Sequence, residues 1–124
     1  MRLPSLSSSE ISAVSAALPL ISYLPADTPE QEELNQMLLE SVQFKLAARS
    51  RDFSDNELRV LLASVCSAVL YFQNSAEPIF SRVPPEFRAS LAPHFFTLNR
   101  LYPSFDQLLT RLEARYGVVD DFYY

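Results

Sequence analysis

Residues 60–72 form an uninterrupted run of thirteen side chains without a charge, and Ser64 and Ser67 are the only polar ones among them. A helix that is apolar nearly all round is stable only when other elements surround it. The run is too short to span a bilayer, which needs about 20 apolar residues. It therefore predicts the central helix of a bundle. At about 100° per residue its main stripe is Leu58, Leu61, Leu62, Val65, Val69 and Phe72. Val60, Ser64, Ser67 and Tyr71 make an opposite face of small and aromatic groups, which admits close approach of another helix. A neighbour within the same bundle is the expected occupant, with a partner chain as the alternative.

Helix starts recur around this run. Leu6, Ser7, Glu10 and Ile11 have the spacing of a capping box with a hydrophobic staple, and Phe53, Ser54, Glu57 and Leu58 repeat it position for position. Thr28 with Pro29 and Gln31, and more weakly Ser104 with Gln107, mark two further starts. The expected helices cover about 8–24, 29–49, 55–74, 85–102 and 105–116. Pro19 and Pro93 fall inside two of them, where each removes a bond to the carbonyl four residues back, so kinks or breaks are expected there. Helix 5 carries Phe105, Leu108, Leu109, Leu112 and Tyr116 on one face, with Gly117 as its stop. Residues 75–84, with Pro78 and the Pro84–Pro85 pair, read as an irregular crossover anchored inward by Ile79 and Phe80. The expected fold is all-α: a single domain over residues 1–124, a bundle of about five helices with helix 3 central, followed by an aromatic, acidic tail at 118–124.

Composition excludes several function classes. The single glycine, Gly117, rules out a P-loop and a dinucleotide fingerprint, both of which need several glycines where backbone approaches phosphate. One cysteine and one histidine rule out a disulfide framework and any multi-Cys or multi-His metal site. No cofactor or metal is expected. The net charge of −5 disfavours a phosphate backbone as partner, although residues 41–116 are mildly basic between acidic ends. Residues 11–24 make a poor signal peptide, since Glu10 precedes them and Pro19 interrupts them. The expected location is cytoplasmic, without a membrane anchor.

Three residues depart from the apolar pattern. Lys45 projects onto the face of Leu34, Leu38 and Val42; its stem is expected to pack while the ammonium reaches the core edge, the sharper alternative being a desolvated, reactive lysine. His94 lies among Phe87, Leu91, Leu98 and Leu101, where a half-buried ring bonded to the Ala89 carbonyl is expected and a ligand or acid–base role is the alternative. Cys66 flanks the main stripe of helix 3 and is expected to act as a small core hydrophobe, because an uncharged helix does not activate a thiol.

Twelve of the fifteen aromatic residues follow position 70. Phe96 falls with Ala89 and Ala92 on the side of its helix away from Phe87 and Leu91, and Phe122, Tyr123 and Tyr124 follow Asp120 and Asp121 in the tail. Exposed aromatics near arginines are the residue types that dominate protein interfaces. The expected function is a non-enzymatic interaction module, an adaptor or regulatory subunit, that binds a protein partner or its own copy through Phe96, Arg88, Arg100, Phe122, Tyr123 and Tyr124. The tail folding back over the bundle is the competing expectation for those last rings. The alternatives are a small acidic regulator or inhibitor of nucleic-acid machinery and, more weakly, an enzyme with a site at His94 or Lys45. No nucleophile, base and orienting group can be assembled from the sequence, so no catalytic residue is assigned.

Overall fold

In a computed structural model of the protein, which describes residues 3–116, the chain is all-helical. Five α-helices follow in order: α1 Ser8–Ala17, α2 Pro29–Ala47, α3 Asp55–Gln73, α4 Pro85–Leu91 and α5 Phe95–Tyr116. Short 3₁₀ segments at Leu18–Tyr23, Pro78–Phe80 and Ala92–His94 join them. Two of these lie at the prolines expected to interrupt a helix, Pro19 and Pro93. A 3₁₀ turn keeps the chain curling forward where a proline has removed an α-helical donor.

The cap signatures set the helix starts. Ser7 accepts from the Glu10 amide while the Glu10 carboxylate accepts from the Ser7 amide at 2.8 Å, and Ser54 and Glu57 make the same reciprocal pair. Thr28 caps α2 through the Gln31 amide. Replacing Ser54 by alanine removes the acceptor for one orphan amide; Ser54→Ala is expected to lower unfolding free energy by about 1 kcal/mol in a denaturant melt, whereas Ser54→Asp is expected to preserve it. The end of α2 is a Schellman turn, in which the Ser50 amide reaches the Lys45 carbonyl at 2.9 Å and the Arg49 amide reaches Leu46 at 3.0 Å. That turn needs a left-handed residue, and here an arginine supplies it, with Arg49 at φ 59°.

Helix α3 is the centre of the molecule. Leu58, Leu61, Leu62 and Val65 have no exposed surface, and Val69 is also buried. Its second face, Val60, Ser64, Ser67 and Tyr71, is buried within the chain as well. The Ser64 hydroxyl donates to the Val60 carbonyl at 2.7 Å, which lets a hydroxyl sit in the core without an unmet bond. Helix α5 covers one side of α3, α2 another, and α1 packs on both α3 and α5. Phe72 near the end of α3 stacks on Phe95 at the start of α5, whereas Cys66, further back, lies in the field of Asp106, so the two helices run antiparallel.

The last two helices differ from the sequence expectation. The break expected at residues 102–105 is absent: α5 runs unbroken through Pro103, and Ser104 lies inside it rather than capping a new helix. Pro103 leaves the Asn99 carbonyl without its amide partner, but both residues are on the exposed side, where water meets that need. On the inner side Leu98, Leu101, Phe105 and Leu112 continue one buried stripe across the proline. In the crossover, Phe80 is buried and joins Tyr71 edge-on at 5.2 Å, with Tyr71, Phe87 and Tyr23 extending the aromatic cluster. Ile79, expected inward beside it, is instead 38% exposed at the rim.

Candidate interaction surface

Phe96 stands 89% exposed in the first turn of α5, the most open large hydrophobic side chain among the described residues. Its neighbours explain why it points outward. Phe95 stacks on Phe72 with ring centroids 4.4 Å apart, and Leu98 is buried, so the inner face of this turn is fixed and residue 96 falls opposite. Arg100 lies one helical turn on from Phe96 and therefore beside it on the same face. Its guanidinium is largely exposed and approaches the Glu10 carboxylate only at 4.0 Å. An exposed pair at that distance contributes little to stability, so the guanidinium stays available.

Arg88 has a different role. Its guanidinium lies 4.2 Å from the centroid of the Phe72 ring, and Nη2 donates to the Phe72 carbonyl at 3.1 Å. Arg88, Phe72 and Phe95 thus form a clip that joins α4, α3 and the start of α5 and holds the turn that carries Phe96. Phe122, Tyr123 and Tyr124, together with Gly117, lie outside the described residues.

A second exposed apolar strip, which the sequence pattern did not single out, runs along α2. Phe44 is 76% exposed and Met37 is 61% exposed, seven residues apart and so on one face. Leu34, expected to face inward with Val42, is partly exposed beside them. The signal was the seven-residue spacing of Met37 and Phe44, off the stripe of Leu38, Val42 and Lys45.

Lys45 meets its expectation at the core edge and adds a partner. Its ammonium donates to Glu57 Oε1 at 2.7 Å and to the Asp52 carbonyl at 3.1 Å, and it sits 5.9 Å above the Phe53 ring. Ser41, one turn earlier on α2, donates to the other oxygen of Glu57. The carboxylate also takes the Ser54 amide at 2.7 Å. Burial pushes the Glu57 carboxyl up, but the bonds from Lys45, Ser41 and Ser54 more than reverse this and hold it at about 2. The group that caps α3 is therefore also the group that fastens α2 to it. An ammonium bound to a carboxylate and a carbonyl is a structural tie, not a free nucleophile.

The thiol of Cys66 is pushed up to about 12 by burial, with the charges of Asp106 and Glu113 adding to it. A thiol so suppressed is chemically inert near neutral pH. His94 is half-buried, and no bond to the Ala89 carbonyl accompanies it among the described residues. No group of three His, Cys, Asp or Glu residues that would hold a metal ion occurs among the described residues. An open cleft of about 370 Å³ beside α2 is lined by Ile21, Ser22, Leu24, Glu32, Glu33 and Gln36, and the Ser22 hydroxyl in it donates to the Gln36 side-chain oxygen at 3.2 Å. No helix among the described residues is long and apolar enough to cross a membrane. Comparison with protein-family models, with curated proteins and with solved structures finds no match.

Proposed function

We propose that this protein is a non-enzymatic interaction module whose contact surface centres on Phe96, with Arg100 beside it. The supporting observation is the 89% exposure of Phe96 in a turn whose other aromatic, Phe95, is locked by Phe72 and Arg88. A large ring held in water by a rigid frame loses little conformational freedom when a partner covers it, and aromatic and arginine side chains are the usual anchors of protein interfaces. The partner is a protein: a second copy of this chain or a different one.

Phe96→Asp is the variant that tests the reading, because a side chain already in water can change without disturbing the fold. Helicity and melting are expected to stay within the range of ordinary surface substitutions, about 0.5 kcal/mol. Light scattering at micromolar concentration is expected to give a mass above the 14.1 kDa monomer that Phe96→Asp returns to the monomer, if the partner is a second copy. A monomer in both cases moves the search to a different protein, by crosslinking from position 96. A monomer with no crosslinked partner overturns the proposal.

A further inference from the structure

The exposed strip on α2 has the spacing of a helix-pairing seam. Leu34, Met37, Ser41 and Phe44 follow one another at steps of three and four residues, the alternation that lets a second helix pack alongside. From Leu34 to Phe44 the stripe runs about 15 Å at the rise of an α-helix. Its three apolar members are all open to solvent, and Phe44 and Met37 are the most open of them. Ser41 is half-buried with its hydroxyl already donated to Glu57, so it brings no unmet polar group to a contact.

The two flanks of the stripe differ in charge. Towards α3 stand Leu38, half-buried, and Lys45, whose ammonium is held by Glu57 and by the Asp52 carbonyl. On the other flank Glu33 and Glu40 are exposed, and Glu30 is exposed one turn before Leu34. None of these three carboxylates forms an ion pair among the described residues. Lys45 is the only cation of α2, so the open flank is uniformly acidic.

We propose that this face of α2 docks a basic amphipathic helix of another protein, its apolar side chains seated on Leu34, Met37 and Phe44 and its lysines or arginines opposite Glu33 and Glu40. Residues that flank the seam between two helices choose the partner by charge. They also disfavour a second copy. An antiparallel α2 would bring its own Glu33 and Glu40 against the first pair, and a parallel one would offer them Leu38 and a Lys45 already tied to Glu57. The same carboxylates repel nucleic acid and anionic bilayers, which leaves a cationic protein segment as the complement. This face and the Phe96 surface lie on different helices, and neither reading depends on the other.

Fluorescence anisotropy of a labelled peptide of three Leu-Ala-Ala-Leu-Lys-Gln-Lys heptads, titrated with the full chain, tests it. Two control peptides accompany it, one with glutamate in place of each lysine and one of the same composition rearranged so that its leucines share no helical face. The lysine heptad peptide is expected to bind and both controls to fail. Met37→Ser with Phe44→Ser leaves every charge in place and is expected to weaken binding by about tenfold or more, with the melting transition unchanged. Glu33→Lys with Glu40→Lys is expected to reverse the preference, so that the glutamate peptide binds instead. Phe96→Asp is expected to bind the lysine peptide as the parent does. Failure of the lysine peptide to bind would overturn the proposal. So would equal binding of the rearranged peptide, or of the lysine peptide to Met37→Ser with Phe44→Ser, since either would reduce the contact to charge attraction alone. Self-association of the chain that this double serine variant abolishes and Phe96→Asp does not would assign the face to a second copy and overturn it as well.

Discussion

Acidification is expected to remove on the order of 3 kcal/mol of stability through Glu57 alone, and Glu57→Gln to remove a similar amount at neutral pH. The carboxyl titrates near 2 in the folded protein against an ordinary 4.5. A depressed folded value means that the unfolded chain takes up the proton first as pH falls. The stabilisation is therefore complete above about 4.5 and is lost progressively as pH drops through about 2. Glutamine keeps the shape, and its one carbonyl oxygen can still accept from the Ser54 amide and the Lys45 ammonium, but it removes the charge that pairs with Lys45 and the oxygen that accepts from Ser41. Chemical denaturation across this acid range is expected to show a slope in the parent that is reduced in Glu57→Gln. Equal slopes in the two proteins would show that the tie between α2 and α3 does not contribute as the geometry requires.

Leu62→Ala is expected to cost about 2 to 5 kcal/mol, comparable to or larger than the loss at Glu57. The side chain has no exposed surface and is ringed by other elements of the core, so the space it leaves can close only in part. Phe44→Ala provides the contrast, since its ring is mostly in water and its removal opens no cavity. A urea melt in which Leu62→Ala is as stable as the parent would overturn the register of α3 on its neighbours.

The uncharged run at 60–72 made α3 legible because burial on every side leaves no alternation to misread. The two capping boxes were legible because their reciprocal bonds are local, made within four residues. Pro103 was misleading for the converse reason. Its local effect favours a break, but the buried stripe from Leu98 to Leu112 favours continuation, and packing against α3 prevailed. The union of Ser41, Lys45 and Glu57 was invisible for a related reason: it depends on how the seven-residue link 48–54 folds α2 back onto α3. Arg59, charged and yet only 4% exposed, was passed over because it stands just before the uncharged run rather than within it. At the candidate surface, the outward placement of Phe96 followed from its position relative to Phe87 and Leu91. The stacking of Arg88 on Phe72 did not, because those two residues lie on different helices and meet only in the fold.

Crosslinking from a photoreactive amino acid placed at position 96, in cells of the native host, tests the interaction surface most directly. A matched probe at Phe44, the other widely exposed ring, controls for exposure alone. The expected result is one discrete adduct from position 96, either with a second copy of the chain or with a single different protein, that weakens when Arg100 is changed to glutamate. No adduct from position 96, or the same adducts from positions 44 and 96, would contradict the assignment of Phe96 as the anchor of a specific interface.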